Sequence, residues 1–110
     1  MKYIILLYAS EGVWPPDEHK LALAESIDLC HHLHDEGKYI SAAPLQPPAT
    51  AKCVRVREGR VSVSDGPFAE TKEQLGGYFL VEARDLDDAI AIASRIPGAR
   101  RGTAEIRPCA

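Results

Sequence analysis

Nine residues, Asp65 to Glu73, carry three carboxylates, one lysine and one threonine behind a Gly66-Pro67 turn. A tight Gly-Pro backbone can aim an acid into a cleft. A carboxylate drawn out of water there has its pKa raised, which prepares it for proton transfer. Asp65 or Glu73 is therefore expected as a general base. Lys72 or Arg107 is expected to hold an anionic substrate, with Phe68 as a further binding residue. The plainer reading of the same run is a turn, with Phe68 filling the core and the charges solvated.

A second set lies on a helical stretch. At about 3.6 residues per turn, His19, Ser26 and Cys30 project near the centre of the apolar stripe of residues 17–36, with His34 at its edge. Polar groups on a buried face must find partners or line a cavity. One reading is a serine bonded back to a carbonyl, a core thiol and two half-exposed imidazoles. The other is a small pocket between helix and sheet with a histidine, His34, as proton acceptor. Ser26 and Cys30 are then binding residues, and they are expected to share one cleft with the Asp65 loop.

The run Cys30-His31-His32-His34 raises the question of a metal. Zinc takes at least three protein ligands, and no established ligand spacing is present, so no metal is expected. The sequence has no GxGxxG, Walker loop, GxSxG or HExxH, so no cofactor is expected either. Arg55, Arg57, Arg60, Arg100 and Arg101 lack the interleaved aromatics of single-strand binders. Thirteen Lys and Arg against sixteen Asp and Glu leave a net charge of −3 and no whole-domain positive field, which argues against a nucleic-acid partner.

These residues are positioned by one domain. A chain of 110 residues leaves no room for a second, and 45% hydrophobic with 26% charged residues is a globular composition. Three cysteines, Cys30, Cys53 and Cys109, form no even set and no CxxC, so free thiols in a reducing cytoplasm are expected. No apolar run reaches the 18 or so residues of a membrane span. The apolar start, residues 2–9, reads as a buried strand rather than a signal peptide.

After that strand comes a helix over 17–36, stopped by Gly37 as the C′ residue. Tyr39 to Leu45 reads as the second strand. Residues 52–57 and 60–64 alternate around Glu58-Gly59, a two-residue hairpin turn. It pairs Arg57 with Arg60, Val56 with Val61 and Val54 with Val63, placing all four valines on one face. A strand over 76–83 follows, then a helix capped by Asp85 with the stripe Leu86, Ala89, Ile90, Ala93 and Ile96. A last strand, 103–108, turns Ala104 and Ile106 inward. Without the hairpin this is the βαββαβ ferredoxin-like pattern of an α+β domain. Strands 2–9 and 78–83 are apolar on both faces while both helices cover one. A second copy of the sheet is therefore expected on the other, giving a homodimer.

The run Asp65-Gly66-Pro67-Phe68-Ala69-Glu70-Thr71-Lys72-Glu73-Gln74-Leu75-Gly76-Gly77-Tyr78 resembles the signature of the DGPF branch of the YciI-like (YCII-related) proteins. Pro44 to Thr50 and the tail from Val81 to Pro108 fit the same branch. The resemblance implies a dimeric α+β barrel of ferredoxin-like subunits. Many short members carry a helix histidine before the aspartate of a His-Asp-Glu-Gly run. In this chain that run is His34-Asp35-Glu36-Gly37, and Ser26 stands where the histidine would be, so a His–Asp dyad is not carried over. Two function classes follow. One is a cofactor-independent enzyme (lyase, isomerase or hydrolase) acting on a small polar or anionic metabolite. The other is a non-catalytic small-molecule-binding or regulatory module linked to sigma-factor regulation, since some members accompany sigma factors.

Overall fold

The computed structural model describes residues 1–110. The elements follow in the order β1 (Lys2–Ala9), α1 (Pro16–Asp35), β2 (Tyr39–Pro44), β3 (Lys52–Arg57), β4 (Arg60–Asp65), β5 (Gln74–Glu82), α2 (Leu86–Ala93) and β6 (Thr103–Pro108). Short 3₁₀ turns occupy Pro48–Thr50 and Pro97–Arg100. The main sheet runs β2-β5-β1-β6 with every neighbouring pair antiparallel. This is the ferredoxin-like α+β arrangement, with β3 and β4 as a separate two-stranded sheet.

Strand parity decides where the core sits. Ile5 lies opposite Phe79 on one side and Ile106 on the other, and these residues face the helices. Tyr3, Ile5, Phe79 and Val81 are buried there against Leu29 and Leu33 of α1 and Ala89, Ile92 and Ala93 of α2. The opposite parity puts Ile4, Leu6, Tyr78 and Leu80 on the face that carries no helix, where they stay half-buried at most. Sequence periodicity placed the α2 stripe imperfectly: Ile92 is buried, whereas Leu86 and Ile90 are about half exposed. Helix α1 also starts one residue earlier than expected, with Pro16 in its first turn.

The hairpin has the expected register, with Val54 opposite Val63 and Val56 opposite Val61. Glu58 and Gly59 both adopt positive φ, 52° and 74°, which is the two-residue turn matched to strand twist. Its valine face is nevertheless open, each valine being 57–67% exposed.

Just ahead of β2 a buried carboxylate ties the elements together. Asp88 of α2 is 4% exposed. It accepts from Lys38 Nζ (2.9 Å) and from the Arg84 backbone N–H (2.9 Å), while its own N–H donates to Asp85. Lys38 precedes β2, so this cluster fixes where that strand begins.

Candidate active site

Helix α1 is clamped along one flank. Arg95, Arg100 and Arg101, from the segment after α2, pair with Glu36 at the C-cap of α1 and with Glu25 and Glu18 within it. The first two pairs are bidentate, at 3.0 and 3.1 Å and at 2.7 and 3.1 Å. Fork-to-fork pairs of this kind fix orientation as well as distance. The other flank of α1 faces β2 and β5, where the sheet offers the small side chains of Ala42, Ala43, Gly76 and Gly77 beside Phe79. Helix and sheet do not close on each other here, and a cleft of about 400 Å³ remains.

Two backbone features shape its floor. Leu7 pairs with Gly77 but Tyr8 with Leu75, so Gly76 is the extra residue of a β-bulge at the cleft. A Cβ on Gly77 would stand 3.0 Å from the Ala43 carbonyl oxygen, so glycine lets β2 and β5 approach there. The walls are Leu7, Trp14, Leu23, Ile27 and Phe79. Trp14 is set in place by Arg101, whose guanidinium lies 4.9 Å from the indole centroid and donates to the Val13 carbonyl at 3.2 Å.

The polar groups in this cleft all come from α1 and β1: His19, Ser26, Cys30 and Tyr8. Ser26 Oγ donates to the Ala22 carbonyl (2.8 Å), which satisfies its proton and leaves its oxygen free to accept. Burial pushes the Cys30 thiol above its ordinary range, so the neutral SH faces the cleft. An adjoining outer lobe of about 450 Å³, bounded by Glu11, Leu45, Pro47 and Gln74, opens beside it, and His19 and Leu23 line both. No Asp, Glu, Lys or Arg lines the inner cleft.

The residues expected from sequence divide accordingly. Ser26 and Cys30 are brought together in the cleft. Asp65, Glu73, His34, Phe68, Lys72 and Arg107 do not line either lobe. Asp65 sits at the base of the hairpin, its side chain 86% exposed and paired with Lys52. Glu73 accepts from Thr103 Oγ1 (2.8 Å). His34 is 78% exposed beside Asp35, because the helical stripe carries Leu33 inward and turns its neighbour out. Phe68 does not plug the core; it is 80% exposed, under the guanidinium of Arg55. Lys72 is exposed. Arg107 pairs with Glu105 on the helix-free face, as the inward parity of Ile106 requires. No group of three or more His, Cys, Asp or Glu side chains converges as a metal site would need. Sequence reasoning missed Trp14, Ala42 and Gly76-Gly77 as parts of the cleft. Of these, only the paired glycines carried a local signal, that of a bulge.

The YCII-related domain matches residues 1–110. This chain belongs to the YCII-related family. An uncharacterized protein of Rhizobium meliloti (strain 1021) is 35% identical over 115 residues, covering all of this chain and 93% of that one. Among solved structures, the YCII-related chain is similar to TftG, the 5-chloro-2-hydroxyhydroquinone dehydrochlorinase of Burkholderia phenoliruptrix AC1100, in its complex with 2,5-dihydroxybenzoquinone. The TM-score is 0.59 at 12% identity, over all of this chain and 94% of TftG. That likeness is one of fold.

Proposed function

We propose that this YCII-related protein is a cofactor-independent enzyme whose inner cleft takes a small hydroxylated ring, with His19 moving the proton. The observation that carries the reading is the lining: apolar walls on two sides and a polar edge made by His19, Ser26 and Cys30 of α1 with Tyr8 of β1. A flat ring fits between such walls with its hydroxyl or carbonyl turned toward Ser26 and His19. Without a cationic side chain in the inner cleft, the ligand is less charged than the anionic metabolite expected from sequence. TftG, of like fold, is a dehydrochlorinase seen with a six-membered ring, and that supports the substrate class. In the isomerase form of the reaction, His19 removes a proton from one position and returns it at another, so no co-reactant is needed. In the lyase form His19 takes the proton, the C–H electron pair becomes a new double bond, and the leaving group departs with the pair of its own bond.

Two finer features belong to the same proposal. We assign the chain to the DGPF branch on the resemblance of its Asp65-Gly66-Pro67-Phe68 run, with that loop serving the hairpin rather than the cleft. Two copies associate through the helix-free face, where Ile4, Leu6, Tyr78 and Leu80 form an apolar stripe that a monomer leaves partly wet.

One observation favours the second reading, binding without turnover: no side chain hydrogen-bonds the His19 imidazole to orient it. Turnover separates the two. Hydroxylated aromatics such as hydroquinone, catechol and chlorohydroquinone are first screened by thermal shift, and hits are followed by absorbance and chromatography. The enzyme reading expects product formation that His19→Gln lowers at least about 100-fold while ligand-induced stabilisation persists. Stabilisation with no product from any hit supports the binding module. Neither stabilisation nor product overturns the substrate class.

A further inference from the structure

The β3–β4 hairpin is an arm without a mate in its own chain. It forms a sheet of its own, its four valines are 57–67% exposed, and an isolated two-stranded hairpin is marginal in water. The arm also makes the molecule extended: its radius of gyration is 15.5 Å, against roughly 13 Å for a compact chain of this length.

Charge says what covers it. Residues 52–65 hold Lys52, Arg55, Arg57 and Arg60 against Glu58 and Asp65, a net +2. The whole chain is −3, so the remainder is −5. Arg57 and Arg60 lie directly opposite each other, and neither is in an ion pair. Like charges so placed are destabilising unless an anionic surface meets them. The rest of this same chain carries the opposite sign, a net −5. Four valines at this exposure present roughly 400 Å² of apolar area, about half of what each partner of a standard interface buries. The remainder is available on the helix-free sheet face.

We propose that the arm of residues 52–65 is a clasp: it lies across a second copy of this chain with its valine face on apolar surface, and its net positive charge is drawn to the net negative charge of that copy's body. This rests on the association proposed above and adds to it a specific holding element. The valine face drives the contact and the charge asymmetry selects it, because arm-on-arm contact would bring +2 against +2, whereas arm-on-body contact is attractive.

The arm can be removed cleanly. The Gly66 N–H donates to the Ala51 carbonyl at 2.8 Å, so its two ends already touch and residue 51 can be joined to residue 66. The test measures mass by light scattering and dissociation by sedimentation for three proteins: the full chain, the arm-deleted chain and Val56→Glu/Val61→Lys. The double variant introduces a cross-strand ion pair at the Val56–Val61 position and makes the valine face polar, which protects the test should the deletion fail to fold. The full chain is expected at twice 12.0 kDa, dissociating more readily as salt rises. Both variants are expected to keep the circular dichroism of the main sheet and to dissociate at least about tenfold more readily than the full chain. Variants that dimerise as tightly as the full chain overturn the clasp while leaving sheet-face association standing. A monomeric full chain overturns that association and the clasp with it. A monomer whose arm binds anionic vesicles of phosphatidylserine assigns the arm to a membrane and also overturns the clasp.

Discussion

Two side chains that never meet illustrate how environment rather than type sets chemistry in this molecule. Cys30 lines the cleft, and burial disfavours its thiolate. Its ionised fraction is therefore below that of an ordinary thiol at any pH. In timed N-ethylmaleimide labelling at about pH 7.5, followed by mass spectrometry, Cys109, which is exposed, should react first and Cys30 last. Labelling of Cys30 ahead of Cys109 would mean that a thiolate occupies the cleft. Asp88 is the opposite case. The Arg84 backbone N–H and then the Lys38 ammonium hold its carboxyl below the ordinary carboxylate range. Such a group adds stability above its unfolded pKa of about 4 and loses it as pH falls through the lower, folded value. Glu36 and Glu25, bonded by Arg95 and Arg100, shift the same way but lie at the surface, where solvent screens them. The melting temperature should thus decline below about pH 4. Asp88→Asn should lower it by more than about 5 °C at about pH 7 and make the acid decline shallower. An unchanged profile would show that the Lys38–Asp88 contact does not persist in solution.

At the scale of elements, the sequence was most informative where a local rule fixed a geometry. The Glu58-Gly59 turn and the alternation around it set the hairpin register, because a one-residue slip would scatter the valines over both faces. The inward parity of Ile106 already excluded Arg107 from the helix side, so that assignment was legible and missed. Helix α1 was placed correctly, but its depth over the sheet was not readable. That depth follows from three arginines more than 50 residues away and from the small side chains of β2 and β5. The Trp14 wall depends on one member of that row. Arg101→Ala should leave the melting temperature within about 5 °C, since exposed pairs contribute little, yet shift the emission of this single tryptophan to the red. Unchanged emission would show that the Arg101 contact does not hold the indole.

For the molecule as a whole, the fold was readable, and of the cleft only part of its helix side. Ser26 and Cys30 were found because helical periodicity exposes a polar residue on an apolar stripe. Asp65 was misplaced because composition reveals that a loop is charged, not where its ends lie. The loop closes the base of the arm through Lys52 and Gly66, and none of residues 65–73 lines the cleft. The cleft between α1 and the β2–β5 edge is therefore the site on which the functional reading depends. Titrating the ¹⁵N-labelled protein with catechol while following amide and indole N–H shifts tests it most directly. Saturable shifts at the Trp14 indole and at the amides of Ser26, Cys30 and Gly77, with residues 65–73 unmoved, are the predicted result. Shifts confined to residues 65–73, or to the helix-free sheet face, would contradict it.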